Sequence, residues 1–351
     1  MILPASQVTV FILLILGMLG WGLWANTFKS AGGKWRFELF YFDFAIGAFI
    51  GATLLALTAG SLGFDGFSFL DDLRLAGKRQ DLFGFAAGVV FNLGNMLLLG
   101  AVSVAGMSVA FPVAMGFALI VAAFWNFALN PGGNAVFLFV GVAVVLGAIV
   151  LAVLSSKGLA LNNPPPAPEG TKKKAKKSSS GKSVFLSLAG GLLLGSFWRL
   201  VQMGGAGENG LGPYSIGFIF CLGVLFSTFV FNLFFMNLPV EGEPIDIAEY
   251  FRAKINRHVL GVLGGMIWYG GLITSLIAAR LEGDAAVSTP ITYGLQQAAI
   301  VIAALCGVFL WREFDGAKSE SRVRLGLMFV LLVIGIGLSS AGIAPVAPAN
   351  P

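Results

Sequence analysis

The side chains able to do chemistry in this chain are few and mostly uncharged. Asn92 and Asn95 stand one helical turn apart in a long apolar stretch, so both amides share a face. Gln296, with Gln297 beside it, follows Pro290, Thr292 and Tyr293 in another such stretch. Trp24, Trp198 and Trp268 punctuate three more. An amide both donates and accepts hydrogen bonds, and an indole face stacks on flat rings or on sugar C–H surfaces. Polar groups inside lipid are expensive unless paired or wetted. This set suits a small, neutral, ring-shaped polar solute. Asn92, Asn95, Gln296, Trp24, Trp198, Trp268 and Tyr293 are therefore the expected substrate-binding residues. The competing reading makes the amides interhelical glue and the tryptophans an interfacial belt.

Two charges lie at or within apolar stretches. Asp43 opens the second, where it serves either as a coupling or gating charge or as a helix N-cap. Arg199 lies near the outer end of the sixth, as a gating charge or as a side chain that snorkels or pairs with Glu208. His258, the single histidine, falls beside Arg257 at the start of the eighth and reads as interfacial, with a proton relay as the alternative. Carboxylates do not cluster, and no His/Cys/acid set has ligand spacing, so no catalytic residue, metal site or cofactor is expected. Cys221 and Cys306 both lie within apolar stretches and read as packing residues. Ser180-Gly181-Lys182-Ser183 has the form of a P-loop tail, but Lys176 occupies the position of the required glycine and no strand precedes it.

The elements that must position these residues follow from composition. The 351 residues are 57% hydrophobic and 11% charged, with a mean hydropathy of +0.88. A soluble chain would carry roughly 25% charge. Ten apolar spans are expected at 8–27, 41–61, 82–104, 106–128, 134–155, 183–203, 214–237, 258–279, 285–311 and 323–343, each long enough to cross about 30 Å of hydrocarbon. They form two sets of five. Phe111-Pro112-Val113-Ala114-Met115-Gly116 aligns with Thr289-Pro290-Ile291-Thr292-Tyr293-Gly294, Gly88-x5-Gly94 with Gly264-x5-Gly270, Ile46-Gly47 with Ile216-Gly217, and Gly20 with Gly195. An odd number of spans per repeat inverts the second copy, the plan of many secondary transporters. Pro112 and Pro290 each remove a backbone hydrogen bond and are expected to bend spans four and nine near the bilayer middle. The fold class is thus an all-α integral membrane protein, ten transmembrane helices in two inverted five-helix repeats.

Three segments are expected: a repeat over 1–155, a disordered basic linker over 156–182 and a second repeat over 183–351. The linker holds Pro164-Pro165-Pro166, Lys172-Lys173-Lys174 and Lys176-Lys177, a composition that buries nothing and repels itself. With the N-terminus outside, 17 of the 22 basic residues fall in or beside cytoplasmic loops, as the positive-inside rule requires. Both termini are then outside the plasma (inner) membrane and the linker is cytoplasmic. The net charge of +5 sits in these loops, so it marks topology and not a nucleic-acid partner; the partners are the bilayer and a small-molecule substrate.

Several of these motifs carry a resemblance. Gly20-Trp21-Gly22-Leu23-Trp24, Tyr41-Phe42-Asp43-Phe44, the run from Gly88 to Asn126, and Thr289 to Glu313 resemble the ten-helix branch of the drug/metabolite transporter superfamily, nearest its glucose/ribose porters and ureide permeases. The resemblance implies a permease for sugars, nucleobases or ureides, working by proton-coupled uptake. Export of amphipathic drugs or metabolites, as in other branches, is the alternative within transport. A lipid-modifying enzyme and a structural scaffold are the readings from other classes.

Overall fold

The computed structural model describes residues 1–32, 35–129, 132–162, 180–281 and 283–343. Among these residues there is no β-strand. The helices are α1 (Gln7–Leu23), α2 (Ala25–Ser30), α3 (Phe37–Leu57), α4 (Phe69–Leu75), α5 (Lys78–Ala105), α6 (Met107–Leu129), α7 (Ala135–Asn162), α8 (Ser180–Gly204), α9 (Pro213–Asn237), α10 (Ala248–Phe251), α11 (Ile255–Ala278), α12 (Thr289–Leu305) and α13 (Ser319–Gly342). Joined where they are continuous, they give ten helices long and apolar enough to cross a membrane. The central part of the expected linker, 163–179, lies outside the described residues; α7 and α8 run further toward it than the apolar spans alone indicate.

Local chemistry sets the helix ends. Ser6 caps α1 by accepting from the Thr9 amide at 3.3 Å, and Ser68 caps α4 through the Asp71 amide. Gly106 alone separates α5 from α6. Its φ of 81° lies where a side chain is strained, so this hairpin turn requires glycine.

One expectation about bends is corrected. Pro290 occupies the first turn of α12, where its missing N–H would have no helical partner in any case; it starts the helix and does not bend it. Pro112 is inside α6, five residues past its first residue, Met107, where a proline removes an interior hydrogen bond. The irregularity in the ninth span is instead a π-helical turn at Cys306–Leu310, a deviation common at functional positions.

Packing is regular. α5 lies along α8 and α9, α11 along α1 and α3, α6 against α7 and α8, and α12 against α13 and α1, while α7 packs on α13 and α3 on α9. Small residues let these backbones touch, as lipid supplies no hydrophobic drive between helices. Gly88 faces the Phe220 carbonyl and Gly223 the Phe85 carbonyl so closely that a β-carbon at either would overlap backbone. The aromatic core gathers where α3, α5, α9 and α11 meet, and a second, aliphatic core lies between α6, α7 and α13.

Candidate functional site

The bundle encloses a cavity walled by α1, α5, α6, α8, α11 and α12, with about 140 Å³ of room; one water needs roughly 10–15 Å³ on that measure. Six of the seven expected binding residues line it: Trp24, Asn95, Trp198, Trp268, Tyr293 and Gln296. Asn95, Trp268 and Gln296 come from the interior of their helices, Tyr293 from the start of α12, Trp198 from the last third of α8, and Trp24 from the α1–α2 junction. Aromatic rings brace one another around the space. Trp268 stacks on Phe91 with centroids 4.3 Å apart, and Trp24 leans on Phe44 at 4.9 Å.

Two polar atoms in this wall are notable for having no partner. Trp21 Nε1 and Tyr293 Oη are buried and make no hydrogen bond, and both residues line the cavity. An unpaired buried donor carries a desolvation penalty of about 1–3 kcal/mol, which a ligand group that reached either atom would relieve; Trp21 Nε1 itself packs toward Gly271 of α11. Trp21 belongs to the same Gly-Trp-Gly-Leu-Trp run as Trp24. Its position three residues before Trp24, one turn away, was the signal that could have placed it in the site.

Asn95 donates to Tyr41 Oη at 3.1 Å, which leaves its carbonyl oxygen for the cavity. Asn92 is the exception among the expected binders. Its amide nitrogen donates to Ser227 Oγ at 2.8 Å, Thr228 Oγ1 at 3.0 Å and the Val224 carbonyl at 3.1 Å. It is fully buried between α5 and α9, so it glues helices and does not line the cavity. The physical reason is rotation. Three residues turn a helix by about 300°, enough to carry Asn92 from the cavity wall into the neighbouring seam.

Arg199 makes no ion pair with Glu208; its guanidinium donates to Gln202 Oε1 at 3.4 Å, and it does not line the cavity. Asp43 is not an N-cap, because α3 begins at Phe37 and Asp43 lies in its second turn. The carboxylate is buried, accepting from Tyr250 Oη at 2.6 Å and pairing with His258 Nδ1 at 2.9 Å. His258 is therefore not a simple interfacial side chain. Burial first, then the bond to Asp43, pushes the Tyr250 phenol above its ordinary range, so it stays a donor.

A second polar knot ties the two halves of the chain together at the ends where α2 stops, α6 starts and α12 stops. Glu313 Oε1 accepts from the Met107 amide at 2.8 Å and pairs with Lys29 Nζ at 2.7 Å. Its Oε2 accepts from the Ser108 amide at 2.8 Å and the Ser108 hydroxyl at 2.5 Å. The carboxylate thus caps the free N–H groups of α6, whose dipole favours an anion there. Burial works against its ionisation, but Lys29 and Ser108 outweigh burial and hold it below the usual glutamate range. Trp311 Nε1 donates to Asn26 Oδ1 at 2.7 Å beside it, with Lys29 over the indole. Sequence reasoning placed Glu313 at the acidic end of the ninth helix and missed this role, because its partners are more than two hundred residues away.

Residues 40–195 match the family described as ureide permease. A protein named for ribose uptake in Staphylococcus aureus (strain COL) is 23% identical over 332 residues, spanning 93% of this chain and 97% of its own. Ureide permease 1 of Arabidopsis thaliana is 21% identical over 380 residues, with 93% and 95% covered. One solved crystal structure has a similar fold, with a TM-score of 0.51, 16% identity, and 95% and 96% coverage.

Proposed function

Taking the chain as an integral membrane permease for small solutes, on its ten apolar helices and these likenesses, we propose that it imports a neutral, ring-bearing polar molecule, a sugar or a nucleobase or ureide. The observation that carries the reading is the cavity wall: stacked indoles, amides from Asn95, Gln296 and Gln297, and the unpaired donors of Trp21 and Tyr293. Aromatic faces accommodate a ring, and unpaired donors reward a solute bearing carbonyl or hydroxyl oxygens. The cavity wall named above carries no formal charge, so an ionic solute would find no counter-charge there. An exporter of amphipathic drugs would have no use for unpaired donors at fixed positions, and the relatives named above include a protein named for uptake.

Transport proceeds by alternating access between two inverted repeats. The packing supports this: α5 on α8 has its counterpart in α11 on α1, α6 on α8 in α12 on α1, and α5 on α9 in α11 on α3. Each pair exchanges under the same two-fold relation that aligns the glycine and proline motifs. The Lys29–Glu313–Ser108 knot closes one end of this arrangement. The Arg199 end is tied by Arg280 on the Gly205 and Leu211 carbonyls and by the Gly212 amide on Asp72, without an ion pair of this kind among the described residues, which supports reading this as the state closed at the Glu313 end. By the distribution of basic residues that end is cytoplasmic, with both termini outside. A proton gradient drives accumulation.

The test is uptake into proteoliposomes of ribose, uracil and allantoin, with Trp21→Phe and Tyr293→Phe as variants. The expected result is saturable uptake of one of these solutes, with KM raised in both variants. Absence of uptake of all three, or unchanged KM in both variants, overturns the assignment.

A further inference from the structure

The Asp43–His258–Tyr250 cluster takes no part in lining the solute cavity, yet its polar partners are fully assembled. Nδ1 of His258 meets both carboxylate oxygens of Asp43, at 2.9 and 3.2 Å. That contact places a hydrogen on Nδ1, donated to the carboxylate, and leaves Nε2 as the nitrogen at which a proton can come and go. Nε2 has no hydrogen-bond partner among the described residues, and the side chain is 19% exposed against 4% for Asp43. We propose that His258 Nε2 is a proton-binding site, held ready by Asp43, whose occupancy sets the pH dependence of transport. For its transport half this inference rests on the permease reading above.

The step is a simple one. A proton adds to the Nε2 lone pair, and a neutral ring facing a carboxylate becomes an imidazolium–carboxylate pair; the proton leaves from the same nitrogen. Coulomb attraction between α11 and α3 exists only in the protonated form, and it is strong where water is scarce. The surroundings leave this pair as the variable element. From α10, Tyr250 donates to Asp43, while Glu249 and Arg252 pair with each other. From the segment before α3, Trp35 stands edge-on to His258 at 5.5 Å, and the Arg257 guanidinium of α11 sits over that indole at 5.5 Å. On α3 itself Glu38 is bound by Arg36.

Both partners are continuous with the cavity wall. Gly261 packs on Asp43, and Gly265 on the Phe44 carbonyl, so α11 and α3 touch with no side chain from α11 between them to absorb a shift. Trp268 lies ten residues beyond His258 on α11, roughly 15 Å along the helix. Tyr41, two residues before Asp43, holds Asn95. A change at His258 therefore bears on both an aromatic wall and an amide of the cavity.

Two measurements on the full-length protein test this. Trp35 fluorescence is followed from pH 5 to 8 in detergent, without solute, and isolated by subtracting the Trp35→Phe variant. The parent is expected to show a one-proton transition, absent in His258→Gln and displaced in Asp43→Asn, where the ring has lost its carboxylate partner. Ribose and uracil counterflow in proteoliposomes should follow the parent's transition and lose its pH dependence in His258→Gln. A His258→Gln protein that keeps the parent's pH profile, or an Asp43→Asn protein with an unmoved transition, overturns the proposal. A fluorescence transition that obeys these expectations without movement of either solute sinks the solute assignment and leaves the proton site standing.

Discussion

Replacing Glu313 with glutamine keeps the shape of the knot and removes its logic. Each carboxylate oxygen receives two donors: the Met107 amide and Lys29 on Oε1, the Ser108 amide and hydroxyl on Oε2. Whichever way a glutamine amide turns, its NH2 meets two of these donors, and two charge-assisted hydrogen bonds are lost at about 1.5–3 kcal/mol each. Lys29 is 25% exposed, so its share is discounted for solvent screening, and the total is about 3 kcal/mol. At 1.4 kcal/mol per factor of ten, the closed form at this end loses roughly two powers of ten in population relative to the open one. Cys306 reports the change. It begins the π turn beside the knot and is half-buried, whereas Cys221 is fully buried. With Cys221 replaced by alanine, alkylation of Cys306 by a bulky impermeant maleimide should accelerate about 100-fold in Glu313→Gln. Lys29→Met, which leaves three donors on the carboxylate, should accelerate it about tenfold. Rates within twofold of the parent for both variants, with unchanged thermal unfolding, refute the reasoning.

Three further outcomes follow from the same geometry. Trp21→Phe and Tyr293→Phe each remove a donor that has no partner, so neither should lower the thermal unfolding temperature, while each raises KM by about 5–15-fold if the solute uses one net hydrogen bond of roughly 1–1.5 kcal/mol there. Asn92→Ala strips three buried contacts from the α5–α9 seam and should destabilise the fold by about 1–3 kcal/mol, read by thermal unfolding in detergent, with KM unchanged. Because Glu313 is held below its ordinary range near 4.5, the knot's stabilisation is complete above that pH and is lost as pH falls through the lower folded value. Trp311 fluorescence, isolated with Trp311→Phe, should therefore be flat with respect to the knot from pH 5 to 8 and change only below about pH 4.5.

Much of this architecture is legible in the sequence because lipid imposes it. A span must be long, apolar and helical, so the ten stretches predicted from hydropathy agree with the helices to within a few residues, and Asn95, Tyr293 and Gln296 of the polar minority within them line the cavity. The disagreements arise where charge or symmetry misleads. Arg36 and Glu38 make the start of the second span look polar, which pushes its apparent boundary to Tyr41 and turns Asp43 into a cap; in the structure Arg36 neutralises Glu38, which is itself buried, and the helix starts earlier. Pro290 was read by analogy with Pro112, although Ser288-Thr289-Pro290 is also a helix-start signal. Asn92 and Asn95 differ only by rotation, which a single sequence does not resolve once every face of a helix is apolar. The partners of Glu313 and His258 are set by tertiary contact alone and leave no local trace.

The π turn at Cys306–Leu310 carries a consequence for how the closed end would release. A π turn holds one more residue than an α turn. Tightening it to α geometry would swing everything beyond it by about one residue's rotation, near 100°. Trp311 and Glu313 lie immediately past that turn, so letting go of Lys29 and Ser108 would need a twist of one short segment, with backbone bonds traded and none stranded in hydrocarbon. The ninth span would then act as a screw thread, α13 staying seated on α7 while the thread turns.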